Sequence, residues 1–270
     1  MVKLFDSHCH LHGLEFQEDM DAVLRRAGAA GVRAAMLVGF NVKSSERAVS
    51  LAKSRNGFFA SVGIHPHDAK SSNASAVAVL KNLAKEEKVR AYGEIGLDFN
   101  RMFSPQAVQE KWFARQLEIV DELDLPVILH ERDSKGRFLE ILKQHRQSGG
   151  CGVVHCFSGT QKEMFAYLDL GYCIGITGII TIEARGADLR ELVPQIPAER
   201  LLVETDAPFL TPAPHKNKVR RNEPAFVRSV LIKLAEVRGE DPKVLSAIIW
   251  ENTCRLYRVD PNREKLMETG

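Results

Sequence analysis

A chain of 270 residues is ordinary for one α/β barrel, whose size is typically about 250 residues, and 44% hydrophobic with 27% charged residues is enough to bury a full core. A net charge of +2 excludes the broad basic excess of a general nucleic-acid binder, so any nucleic-acid role must rest on a local site. Five cysteines in no CxxC spacing exclude a disulfide framework or a zinc ribbon, and no run reaches the ~18 apolar residues of a membrane span.

Short apolar runs alternate with amphipathic stretches from end to end. Residues 3–5 lead as a strand into Asp-Ser-His-Cys-His, and a helical pattern follows at 19–30. Strand and helix patterns then pair at 32–40 with 44–54, 58–64 with 74–87, 89–97 with 105–122 and 126–130 with 135–147. The remaining pairs are 151–157 with 161–170, 172–177 with 187–193, and 201–205 with a helix at 224–238 beyond a basic loop. Continuous apolar strands suit a parallel sheet covered on both faces, and eight such units predict a (β/α)₈ TIM barrel. Residues 243–257 read as an additional C-terminal helix packed outside it, and no linker divides the chain, so one domain over 1–270 is expected. Asp6 and His8 come too early for a signal-peptide run; with cysteines suited to a reducing compartment, a cytoplasmic protein is expected, with no membrane association.

The chemistry-bearing residues sit at strand ends. His8 and His10 close the first strand, His65 and His67 the third, Glu94 and Asp98 the fourth, His130 the fifth, His155 the sixth, and Glu204 and Asp206 the eighth. In a barrel these ends converge on one mouth, where active sites are built. His8 and His10, at i and i+2 on a strand, point the same way, while Cys9 points outward. Such a pair suits a divalent cation, although two histidines also serve simply to cap a strand.

Glu94 lies among apolar and small residues in Gly-Glu-Ile-Gly-Leu-Asp, where an unpartnered carboxylate would protonate. It either bridges two cations, one oxygen to each, or is hydrogen-bonded in the core. His130 and His155 each end an apolar run and become further ligand candidates beside it. Asp206 could ligate an ion and accept the proton of an attacking water. Glu204 either orients ligands from behind or forms an ion pair in the barrel wall. The set His8, His10, Glu94, His130, His155 and Asp206 predicts two divalent ions ~3.5–4 Å apart that activate water and clamp an ester oxygen, with Glu94 and Asp206 catalytic. Mg, Mn, Zn and Ni all suit such donors. His65, His67, Arg132 and Arg221 are candidates for gripping an anionic substrate. The loop His-Lys-Asn-Lys-Val-Arg-Arg from His215 places four Lys and Arg within six residues, read either as a phosphate contact or as a solvated charge run. No GxSxG elbow is present, and no protein partner is called for.

Taken together, DSHCHLH, SVGIHPH, YGEIGLDF, LPVILHERD, HCFSG and LVETDAPFLTP resemble, in order and almost end to end, the TatD-type metal-dependent deoxyribonucleases within the amidohydrolase-like barrels. The resemblance implies a divalent-metal role for His8, His10, Glu94, His130, His155 and Asp206, and cleavage of DNA phosphodiesters, often from an end. Many amidohydrolases bridge their ions with a carboxylated lysine; here Glu94 stands in that place. The stretch 214–224 is longer than the family pattern, which bears on the substrate rim and not on the metal residues. Related barrels hydrolyse small phosphoesters, lactones, cyclic amides or an ester on tRNA, and a noncatalytic metal-binding platform is a third reading.

Overall fold

Eight parallel strands, β1 (Leu4–Cys9), β2 (Val32–Val38), β3 (Phe58–Val62), β4 (Val89–Asp98), β5 (Val127–Arg132), β6 (Gly152–Val154), β7 (Cys173–Ile176) and β8 (Leu201–Val203), pair in chain order in a computed structural model. The structure describes residues 2–145, 151–264 and 266–267. The ring closes beyond the short β8 through a parallel bridge between Cys9 and Ala207, with Asp206 N donating to His8 O at 2.9 Å and His10 N to Ala207 O at 2.7 Å. This is the expected barrel.

A helix follows each strand: α1 (Met20–Ala30), α2 (Val42–Ser54), α3 (Ala74–Leu83), α4 (Gln106–Leu123), α5 (Arg137–His145), α6 (Gln161–Asp169), α7 (Ala187–Leu192) and α8 (Val227–Arg238). Local chemistry sets their starts. Asn41 and Asn73 accept backbone N–H bonds from Ser44 and Ala76, and Thr160 with Glu163 forms a reciprocal capping box. The last two positions of the helix expected at 135–147 lie outside the described residues.

Strand parity divides the core. Phe5, Ala34, Met36, Val38, Phe59, Ala91, Ile128, Val153, Cys173 and Leu202 form an inner cluster, whereas Leu4, Cys9, Ala35, Leu37, Tyr92, Ile95 and Leu97 belong to the layer under the helices. Four register shifts interrupt the alternation, and two of them lie just before site residues. Between paired positions β1 advances from Asp6 to Cys9 while β2 advances only from Ala35 to Leu37, and β4 advances from Tyr92 to Ile95 while β5 advances from Val127 to Leu129. Each shift adds one residue and re-aims the side chains beyond it. Thus Phe5 and His8 both face inward although their parity differs, and likewise Ala91 and Glu94.

One expectation needs correction. The last helix, α9 (Pro242–Leu256), is not simply appended outside: Trp250, Cys254, Leu256, Tyr257 and Val259 join the inner cluster, with Trp250 and Tyr257 against Phe5 at 6.1 and 5.9 Å between ring centroids. A barrel leaves the apolar ends of its inward residues uncovered at the N-terminal opening, and burying them there stabilises the helix more than a solvent-facing dock would. The tail is pinned by Glu264, which takes Lys88 Nζ at 2.8 Å and Arg90 Nη2 at 2.5 Å, both cations lying over the Phe59 ring. Burial alone would raise the Glu264 carboxyl, but these two cations hold it below its ordinary range. Its stabilisation is therefore complete above the usual carboxylate pKa and is lost as pH falls through the lower folded value. Glu264→Gln is expected to lower stability by about 1–2 kcal/mol at pH 7, with wild type and variant converging in acid, as chemical denaturation across pH would show.

Candidate metal centre

The strand ends bring the scattered histidines and carboxylates into one buried pocket. Glu94 lies at its middle: Oε1 is 2.7 Å from His130 Nδ1, 3.1 Å from His155 Nε2 and 3.6 Å from His65 Nε2, while Oε2 is 3.5 Å from His8 Nε2. Asp206 Oδ1 is 3.6 Å from His8 Nε2 and 3.4 Å from His10 Nε2. All six expected ligands therefore meet, although they come from positions 8 to 206. Asp206 reaches the pocket from a left-handed turn (φ 57°) just beyond β8, a conformation that Asp tolerates better than most residues.

Backbone spacing makes room for these groups. A Cβ on Gly96, whose φ is +151°, would lie 1.8 Å from the carbonyl oxygen of His130, so only glycine lets β4 approach β5 there. At Gly175 a Cβ would lie 2.7 Å from the Glu204 carboxylate, and the missing side chain is the space that Glu204 fills.

Hydrogen bonding fixes the orientation of two imidazoles. His10 donates Nδ1–H to Val38 O at 2.8 Å, which turns its Nε2 lone pair toward Asp206 and toward His8 Nε2, 3.3 Å away. His155 donates Nδ1–H to Glu204 Oε1 at 3.1 Å, leaving Nε2 facing Glu94. Donation of the outer nitrogen leaves the inner one as a ligand. Lone pairs and carboxylate oxygens at these separations repel, and a proton or a cation between them removes the repulsion. His130 Nε2 has no hydrogen-bond partner among the described residues, and Asp98 Oδ2 stands 3.5 Å from it. The donor set, four or more imidazoles with two carboxylates, fits divalent cations. Groups close enough to hold an ion include His8, His10 and Glu94, and His65, Glu94 and His130.

Electrostatics show how strongly these groups act on one another. Burial opposes charge on Glu94, but His155, His65, His8 and His130 hold its carboxyl well below the ordinary carboxylate range. Burial pushes Asp206 up too, and His10, His155 and His8 bring it below its ordinary value. Burial lowers His8 and His65; it opposes charge on His10, His130 and His155 too, but the carboxylates of Asp206, Asp98, Glu94 and Glu204 raise these three, a concentration of negative charge that suits a cation.

Around this centre the other expected residues divide. Glu204 is fully buried behind His155, where it also accepts Cys156 N–H at 2.5 Å and lies 3.2 Å from Ser7 Oγ. His65 and His67 are in the pocket, His67 Nε2 bonding Asp98 Oδ2 at 2.7 Å. Arg132 is half-buried at the end of β5, paired in register with Asp98. Arg221 points elsewhere: it pairs with Asp19 and covers the Phe16 ring at 4.5 Å, tying the basic loop to the start of α1. Arg26 does the same with a two-pronged pair to Glu223 at 2.6 and 2.7 Å. His215 stacks on Phe226 at 3.8 Å. Of this loop, Lys216, Lys218 and Arg220 stay exposed.

Two acids had no assigned role. Asp98 takes His67 and stands by His130, and its carboxyl is held strongly down by both despite burial. Its position at a strand end was the available signal. Asp6 is buried and accepts Thr205 N–H at 2.8 Å and Thr205 Oγ1–H at 2.6 Å, bracing β1 against the segment after β8, and burial pushes it up to about 8. Nothing in a strand reading separates such a brace from a ligand.

Imidazoles also form a continuous row across the mouth. Successive ring centroids lie 4.3 Å (His67–His65), 4.4 Å (His65–His130), 5.7 Å (His130–His155), 3.8 Å (His155–His8) and 5.1 Å (His8–His10) apart. Phe103 meets the His67 end at 4.8 Å and Phe209 the His10 end at 6.1 Å.

Comparison with known proteins places this architecture. A protein from Klebsiella pneumoniae named 3'-5' ssDNA/RNA exonuclease TatD is 44% identical over 261 residues, spanning 96% of this chain and 99% of its own. One of the same name from Cronobacter sakazakii is 44% identical over 257 residues, spanning 94% and 97%. The crystal structure of YJJV, a TatD homologue from Escherichia coli k12, matches with a TM-score of 0.87 at 31% identity, over 95% of this chain and 98% of that one. The family model described as TatD related DNase matches residues 5–258, and the chain belongs to that family.

Proposed function

We propose that this protein is a metal-dependent hydrolase of phosphodiesters that removes nucleotides from the 3' end of single-stranded DNA or RNA. The relatives' name supplies the substrate and polarity. The observation that carries the chemistry is Glu94, whose two oxygens face different histidines, Oε1 toward His130 and His155 and Oε2 toward His8. That division supports a site for two cations: His8, His10, Glu94 and Asp206 would hold one, and Glu94, His130 and His155 the other. Divalent ions at such a site supply Lewis acidity to the phosphoryl oxygen and acidify water.

The remaining steps belong to side chains. Asp206 is held as a carboxylate at the edge of the pocket and accepts the proton of the attacking water. Glu204 positions His155, and Asp98 positions His67 and His130. His65, His67 and Arg132 line the side on which the phosphate oxygens enter. Arg221, committed to Asp19, holds the rim in shape and leaves phosphate contacts to the exposed cations of its loop. Free cysteines and the lack, among described residues, of a helix able to cross a membrane are consistent with work in the cytoplasm.

A 5'-labelled single strand incubated with Mg, Mn, Zn or Ni should shorten stepwise from its 3' end, and chelation should stop it. Inert nucleic acid together with turnover of small phosphoesters or lactones would refute the nuclease reading. Glu204→Gln should weaken cation affinity or activity by about 10–100-fold, because it removes the group that orients His155. Cation titration followed by the same assay measures this.

A further inference from the structure

Two phenylalanine rings at the mouth have no packing role that accounts for them. Phe103 and Phe209 are 54% and 58% exposed, and among the described residues only Phe165 is a similarly exposed phenylalanine, on the outer helix α6. Exposure of a large ring costs burial free energy, and both rings incur that cost beside the same row of imidazoles, Phe103 against His67 and Phe209 against His10. The two follow β4 and β8, which are four positions apart in an eight-strand ring and therefore face each other across the opening. Whatever is attacked at the centre must extend past one ring or both.

We propose that Phe103 and Phe209 are stacking platforms for the two bases that flank the scissile phosphodiester, so that the enzyme grips its strand by base faces as well as by phosphate. This deepens the nuclease reading and rests on it. An aromatic face stacks on any base, which gives grip without sequence choice, and it takes only a base that is free of its own neighbours and of a complementary strand. A phenyl ring has no group that senses a 2'-hydroxyl, so DNA and RNA are gripped alike. Cations accompany both platforms. Arg101 lies two residues before Phe103 and is exposed, and at Leu210, the residue after Phe209, a cleft of about 350 Å³ begins whose lining includes Arg185 and Lys216 beside Ile179, Ile182 and Val219. The paired arrangement of ring and cation suits a single strand, whose bases and phosphates alternate along its length.

The test compares a 5'-labelled oligothymidine with the same strand carrying abasic nucleotides at its last two positions. Wild type should lose about tenfold or more in kcat/KM on the abasic strand. Phe103→Ala and Phe209→Ala should each lose about tenfold on the normal strand yet little further on the abasic one, since the lost ring has no base to hold. Leucine at either position should behave as alanine, and tryptophan should restore activity. Because both rings are mostly solvent-exposed, unchanged melting temperatures should accompany these losses. A 2-aminopurine at either of the last two positions should be quenched on binding to wild type in Ca²⁺, with one position losing its quench in each alanine variant. Equal losses on both strands, or no loss at all, would overturn the platforms while leaving the nuclease intact. Failure of the wild type to cut either strand would remove the nuclease reading, and the platforms with it.

Discussion

Glu94→Gln is expected to lower turnover by roughly a hundred- to several-thousand-fold while leaving the barrel folded. The side chain is an almost fully buried carboxylate within 3.6 Å of four imidazoles, and no neighbour replaces its charge. Removing one partner from a buried charged cluster costs about 3–5 kcal/mol, which as lost transition-state stabilisation is roughly a hundred- to several-thousand-fold. The amide is nearly isosteric, so packing survives, but it offers one oxygen where the carboxylate offers two. Thermal unfolding separates the two effects. Divalent cation should raise the melting temperature of wild type by mass action and shift that of the variant far less. A variant that keeps both turnover and the cation-dependent shift would contradict the bridging role.

Asp206→Asn should separate ion binding from chemistry. Asp206 contacts both His8 and His10, yet it is the most accessible acid of the pocket, with its side chain 16% exposed against 4% for Glu94. Asparagine retains an oxygen for a cation but cannot take up a proton. Loss of a positioned general base lowers kcat by about 10²–10⁴-fold. Single-turnover cleavage of a labelled strand at saturating metal should show that fall with the position of KM little moved. Should KM rise while kcat holds, Asp206 would be a binding residue and the proton would go elsewhere.

Much of this was legible in the sequence, for identifiable reasons. Apolar runs each ended by a histidine or an acid mark the C-terminal edge of a parallel barrel, and His8, Glu94, His155 and Asp206 could be gathered on one mouth from their strand positions alone. Their mutual contacts could not. Side-chain parity would place Phe5 and His8 on opposite faces of β1, and Ala91 and Glu94 on opposite faces of β4; the extra residue in each strand that reconciles them is a property of pairing with β2 and β5. The fate of Arg221 was hidden in the same way, because Asp19 and Phe16 are some two hundred positions away in the chain. The amphipathic pattern of α9 was readable, but not that it closes the barrel floor, since an apolar stripe does not name the surface it covers. Asp98 was visible as a strand-end acid, and only its bond to His67 distinguishes it from a wall residue.

The proposed pair of cations shared through Glu94 is the premise of every catalytic role assigned to the pocket. Titration of the metal-free protein with Mn²⁺, read by paramagnetic resonance and by anomalous diffraction from the loaded crystal, tests it most directly. Two ions per chain are predicted, magnetically coupled, with Glu94 touching both and only one retained in Asp206→Ala. A single ion at saturation, or two ions with Glu94 ligating neither or only one, would contradict it.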